Sequence, residues 1–224
     1  MKTQQIDTTL AAMIDHTLLK PDAGENDILR LCDESRVYGF ASVCVNPSWV
    51  RLCSNVLRES TSSVCTVIGF PLGSNRTEVK VREAEMAIQD GAVEFDMVLH
   101  VGRLKQGDAA YVEHDIAAVT EAVKAASEKY IVKVILETCL LSADEIRNAS
   151  AIVRNTGADF VKTSTGFSSG GATVDSVRLM RAVVGEGFGV KASGGIRNRQ
   201  TAIQMIEAGA NRIGASSSIE IVST

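Results

Sequence analysis

Short apolar runs alternate along this chain with longer segments of helical period. The runs cover 12–19, 40–45, 63–70, 93–101, 131–138, 158–164, 188–193 and 210–216, and most are rich in valine, isoleucine, cysteine and phenylalanine. Their near-continuous apolarity predicts strands buried on both faces. The segments between them, 26–38, 47–59, 76–90, 108–128, 143–155, 174–185 and 198–208, carry the spacing of amphipathic helices. Strand followed by helix, repeated, predicts parallel β-α units. Eight strands is the number that closes a TIM (β/α)8 barrel, and no linker or low-complexity tract interrupts the pattern. The expected architecture is α/β, with residues 1–224 in one barrel domain. Pro47 follows Asn46 and suits the first turn of its helix.

A weak internal repeat supports this reading. MAIQDGAVEFD, IVRNTGADFVK and QMIEAGANRIG each show a helix tail, a glycine suited to a left-handed cap, an alanine and then a strand. Counting five residues from that glycine reaches Asp96, Lys162 and Gly214, and four residues from Gly187 reaches Lys191. These positions fall near strand C-terminal ends, the rim where barrel enzymes place their chemistry.

Two strands end unusually. GADFVKTSTGFSSGG, 157–171, and GFGVKASGG, 187–195, run from apolar residues into a lysine and then into hydroxyls and glycines. A lysine at a strand end ordinarily reaches for water. Phe160 and Lys162 share parity and point inward, however, and a partly desolvated amine sheds its charge more readily. Such an amine is a nucleophile for a carbonyl, which is Schiff-base chemistry. Lys191 would set a second cation beside the first, or else bind an anion with the ASGG that follows. Asp96, inside the apolar EFDMVLH, must be paired or functional. It is either the structural partner of a strand lysine or a proton shuttle between the two amines. Lys133 is expected to pair internally with Glu137. Asp15 is a candidate to hydrogen-bond a substrate hydroxyl. Cys44 either lines the same mouth or is a small buried hydrophobe. Gly166, the Ser193-Gly194-Gly195 turn and the GASSS segment starting at Gly214 offer phosphate-binding backbone on consecutive strand ends, the last opening a short terminal helix.

Composition narrows the partners. With 45% hydrophobic and 22% charged residues the chain can bury a large core. A net charge of −4 and the lack of any Lys/Arg block argue against nucleic acid and anionic membranes, leaving small molecules. Five cysteines without a C-x-x-C pair indicate reduced thiols. The first apolar run, LAAMI, is too short for a signal peptide, and no run reaches the roughly 18 apolar residues of a membrane span. A cytoplasmic protein is expected. His16, His100 and His114 show no metal-ligand spacing, and neither a dinucleotide fingerprint nor a P-loop occurs.

The segments IDHTLLKPDA (14–23), VCVNPSWV (43–50), VCTVIGFPLG (64–73), EFDMV (94–98), VKVILETCLL (132–141), ADFVKTSTGFSSGGAT (158–173), VKASGGIR (190–197) and NRIGASSS (211–218) resemble, in order, the pattern of the deoxyribose-phosphate aldolases. These are class I aldolases on a TIM barrel, and the resemblance covers nearly the whole chain. It implies that Lys162 is the Schiff-base lysine, that Lys191 and Asp96 transfer protons, and that Gly166, Ser193, Gly194, Gly195, Gly214, Ser216 and Ser217 hold a phosphate. The implied reaction is reversible cleavage of 2-deoxy-D-ribose 5-phosphate to D-glyceraldehyde 3-phosphate and acetaldehyde, in deoxyribonucleoside breakdown, without metal or organic cofactor. A homodimer is also implied. Two departures stand out: His100 where the pattern carries asparagine, and an acidic, bulky IEIV tail. The competing readings are a phosphosugar isomerase or epimerase, with Lys162 polarising a carbonyl, and a non-catalytic phosphosugar-binding barrel.

Overall fold

All eight apolar runs become strands: β1 (Ile14–Leu18), β2 (Ser42–Val45), β3 (Ser63–Ile68), β4 (Glu94–Val98), β5 (Ile131–Ile135), β6 (Phe160–Lys162), β7 (Gly189–Ser193) and β8 (Arg212–Ala215). In the computed structural model, which describes residues 6–223, each strand pairs in parallel with the next, and β8 closes on β1. Residues 1–5 and 224 of the expected domain lie outside the described residues. The helices are α1 (Thr8–Ala11), α2 (Glu25–Tyr38), α3 (Val50–Val56), α4 (Thr77–Asp90), α5 (Val101–Lys105), α6 (Ala109–Ala126), α7 (Ala143–Arg154), α8 (Val174–Val184), α9 (Arg199–Glu207) and α10 (Ser218–Val222). The fold is a TIM barrel, as expected.

The strands are shorter than the apolar runs because the buried residues that follow them already belong to turns. Leu99 is buried, yet Val101 begins α5; Leu136 is buried, yet Thr138–Leu140 forms a 3₁₀ turn. Neither α1 nor α5 was expected. Each begins at a side-chain cap: Asp7 accepts from the Leu10 N–H, and His100 accepts from the Arg103 N–H. His100 thus does at its position what an asparagine side chain would do. The segment 47–59 splits into a 3₁₀ turn at Pro47–Trp49 and the shorter α3. The repeat's glycines behave as expected: Gly91, Gly157 and Gly209 have φ of 101°, 78° and 113°. A side chain there would be strained, so glycine sets the sharp return from helix to strand.

Alternation along each strand separates two environments. Val43, Val45, Val64, Phe95, Met97, Val132, Val134, Val161, Val190 and Ile213 face the helices in one continuous core. Each such side chain contributes about 1.5–3 kcal/mol when fully buried. Their neighbours face the lumen, where a small apolar cluster of Leu19, Cys44, Cys65 and Val67 fills only part of the space. Charged side chains fill much of the rest. Among the described residues no helix is long and apolar enough to cross a membrane.

Candidate active site

Seven charged groups from six strands meet inside the barrel. Asp15 (β1), Glu94 and Asp96 (β4), Lys133 (β5), Lys162 (β6) and Lys191 (β7) are almost fully buried, and Arg212 (β8) keeps a side-chain exposure of 14%. Asp96 is the hub. Its Oδ2 accepts from Lys162 Nζ at 2.7 Å and from Lys191 Nζ at 2.6 Å, and its Oδ1 from Lys133 Nζ at 2.9 Å. Cys65 Sγ donates to the same Oδ1 at 3.3 Å. Lys191 also pairs with Asp15 Oδ2, and Lys133 with Glu94 at 2.6 Å. Arg212 reaches Asp15 at 2.7 Å and Glu94 at 3.3 Å. Register explains the crowding: Lys162 lies opposite Lys191 and Asp96 opposite Lys133 on neighbouring strands. Room for Lys191 comes from Gly214, where an added Cβ would sit 3.0 Å from Lys191 Cε.

Electrostatics follow from the contacts. Burial alone would raise the Asp96 carboxyl, but the ammonium groups of Lys133, Lys162 and Lys191 hold it well below the usual carboxylate range. Asp15 is likewise lowered, burial being overcome by Lys191, Lys133 and Arg212. Burial disfavours the charge on Lys191, yet Asp15 and Asp96 outweigh it and raise that amine, so Lys191 is a fixed ammonium. Lys133 is raised too, against burial, by Asp96 first among its partners. The carboxylates' contribution to stability is therefore complete above about pH 4 and lost as pH falls through their depressed values. The lysines' contribution is complete below about pH 10.4 and lost as pH rises through their raised values. The thermal midpoint is expected to stay level from roughly pH 7 to 9, to fall below about pH 6.5 because burial lowers the His16 imidazole, and to fall further in acid below about pH 4. A midpoint that climbs steadily between about pH 7 and 9 would contradict this charge assignment.

Above the lumen lies a pocket of about 290 Å³. Lys162 reaches it, together with Gly166, Ser193, Gly194, Gly195, Gly214 and Ser216. Lys20 and Arg197 line it as well, so among the described residues its wall holds three basic side chains and no carboxylate, in a chain of net charge −4. Gly194 and Gly195 have φ of 83° and 79°, a left-handed course that suits glycine and brings bare backbone to the pocket wall. An anion is the natural complement of such a wall.

The structure brings Lys162, Lys191 and Asp96 into direct contact and gathers most of the expected phosphate residues around one cavity. Other placements differ from expectation. Ser217 is the residue before α10 and is not part of the pocket wall. Asp15 and Cys44 have no exposed surface. Asp15 is spent on Lys191 and Arg212 rather than pointing at a substrate hydroxyl, and Cys44 packs against Cys65 and Leu19 as a buried hydrophobe. Glu137 is not the partner of Lys133. Its backbone adopts φ 57°, which turns the side chain to accept from the Thr165 N–H at 3.2 Å and from the Thr165 hydroxyl. Glu94, Arg212, Lys20 and Arg197 were missed as site components. The sets Cys44, Cys65, Asp96 and Asp15, Cys65, Glu94 bring donor atoms close enough for a metal ion, but their carboxylates already carry lysine and arginine cations.

Comparison with known proteins gives the family. The model of the DeoC/LacD family aldolases matches residues 9–223. The chain belongs to this family. The aldolase is 59% identical over 213 residues to deoxyribose-phosphate aldolase 1 of Bacillus licheniformis, covering 95% of this chain and 94% of that one. It is 57% identical over 215 residues to the deoxyribose-phosphate aldolase of Listeria welshimeri, covering 96% and 95%. Among solved structures, the aldolase QR15 matches at 43% identity with a TM-score of 0.89, covering 95% of this chain and 93% of that one. The deoxyribose phosphate aldolase of Aeropyrum pernix matches at 36% identity and TM-score 0.88, covering 95% and 88%, and is described as tetrameric.

Proposed function

We propose that this aldolase reversibly cleaves 2-deoxy-D-ribose 5-phosphate to D-glyceraldehyde 3-phosphate and acetaldehyde through an imine on Lys162. One observation carries the reading: Lys162 is the lumen amine that also lines the cationic pocket, and it lies one hydrogen bond from Asp96. Its free amine adds to C1 of the open-chain sugar, and loss of water from the carbinolamine gives the iminium. The C3 hydroxyl then gives up its proton as the C2–C3 bond breaks. C3 becomes the aldehyde of glyceraldehyde 3-phosphate, and the bond's electron pair flows into the iminium to form an enamine. Protonation at C2 and hydrolysis release acetaldehyde and restore the amine. Asp96 Oδ2, touching both Lys162 and Lys191, is the relay for these protons, while Lys191 remains a cation.

The phosphate is assigned to Gly166, Ser193, Gly194, Gly195, Gly214 and Ser216, with Lys20 and Arg197 supplying charge and Ser217 adjoining. Binding there fixes the reach of C1 toward Lys162. Removing the phosphate from the substrate is expected to lower kcat as well as affinity. Equal kcat for 2-deoxyribose and its 5-phosphate would contradict that assignment. The decisive test is borohydride reduction in the presence of acetaldehyde followed by peptide mapping. An ethyl group is expected on the Lys162 peptide; its absence while substrate is still converted would favour an isomerase or epimerase, and binding without conversion a silent sugar-phosphate barrel. The reading extends to a cytoplasmic enzyme acting as a homodimer or larger homo-oligomer, in keeping with its bacterial relatives and the tetrameric Aeropyrum pernix enzyme.

A further inference from the structure

Among the described residues the lumen holds four cations, Lys133, Lys162, Lys191 and Arg212, against three carboxylates, Asp15, Glu94 and Asp96. Three of the four cations each touch at least two carboxylates: Arg212 touches Asp15 and Glu94, Lys133 touches Glu94 and Asp96, and Lys191 touches Asp15 and Asp96. Lys162 touches Asp96 alone, through an oxygen it shares with Lys191. The interior is thus one positive charge in surplus when all seven groups are ionised, and balanced when Lys162 is a free amine. An unmatched buried charge is unfavourable by several kcal/mol, so the count bears on which form of Lys162 the lumen favours.

We propose that Arg212 and Glu94, neither of which lines the substrate pocket, are positioning residues that set the pH at which Lys162 is free to form its imine. Arg212 opens β8, at the end of that strand opposite the pocket residues Gly214 to Ser216. It acts through Asp15, which it shares with Lys191, and through Glu94, which it shares with Lys133. Around the Asp96–Lys162 contact stand Asp15 from β1, Cys44 from β2, Cys65 from β3, Lys133 from β5 and Lys191 from β7, with Glu94 from β4 and Arg212 from β8 one ion pair further off and Lys20 and Arg197 on the pocket side. Removing the Arg212 charge leaves three carboxylates for three ammonium groups, which favours the charged form of Lys162. Removing the Glu94 charge leaves a surplus of two, which favours its free amine.

This inference rests on the imine reading above, and its test separates the two. The rate of imine formation with acetaldehyde, trapped by cyanoborohydride and read by intact mass, is followed against pH. Arg212→Met is expected to move the rising limb up by about one pH unit, a loss of ~10-fold at a pH on that limb. Glu94→Gln, which keeps side-chain size, is expected to move it down by a similar amount, and Arg212→Lys to restore the original profile. Should Arg212→Met fail to fold, the downward shift of Glu94→Gln decides the matter. Limbs that coincide with the unaltered protein, or that move in the same direction, overturn the inference. A merely structural role would lower the amplitude without moving the limb. Failure of the unaltered protein to form an imine at any pH would instead defeat the proposed function.

Discussion

Replacing Lys162 with methionine is expected to lower kcat for cleavage by on the order of 10⁴-fold or more, because among the described residues no other amine lines the pocket within contact of Asp96. The same change should leave the thermal midpoint unaltered or raise it. Methionine keeps most of the side-chain volume and removes the one cation in surplus over the lumen carboxylates. Activity and stability therefore part company at this position, the pattern of a group kept for chemistry at some expense in stability. Steady-state kinetics with 2-deoxyribose 5-phosphate and a thermal melt of the same sample check both halves. A variant that unfolds early would show that the Lys162 ammonium is a structural contact first.

Asp96→Asn is expected to do the reverse on stability. Asp96 is fully buried and bonds to three ammonium groups at once, so the neutral amide leaves two carboxylates facing four cations. Breaking one member of a buried ion network costs about 3–5 kcal/mol. In a chain of this length that is a fall of roughly 10 °C in the thermal midpoint. Loss of the relay should also lower kcat by about 10²- to 10⁴-fold. Denaturant titration and kinetics at neutral pH measure the two effects, and a variant of native stability would show that the lysines find other partners.

The frame of the protein was readable in the chain because strand burial on two faces leaves an almost unbroken apolar run, and because the glycine caps at Gly91, Gly157 and Gly209 fix the count to the next rim position. That count located Asp96 and Lys162, and parity pointed Lys162 inward. Pairing was far less legible. Lys133 looked toward Glu137, four residues along, whereas the partner it finds is Glu94, brought close by pairing between β4 and β5. In the chain Asp15 looks free for a substrate hydroxyl because its partners, Lys191 and Arg212, lie almost the whole chain away and meet it only when β8 closes on β1. Arg212 and Glu94 begin their strands and look in the chain like solvent-facing ends. Lys20 and Arg197 sit on loops, and only the closed rim reveals that both look into one cavity.

The distribution of lumen charge along the chain has a last consequence. Among the described residues, the three interior carboxylates come from β1 and β4 and the four interior cations from β5 to β8. Cut between the fourth and fifth strands, the molecule would yield an amino-terminal fragment with a purely acidic concave face and a carboxy-terminal fragment with a purely basic one. Neither could bury that face alone, and each is the other's counterion. Joining the two halves of the barrel is therefore itself an act of mutual neutralisation.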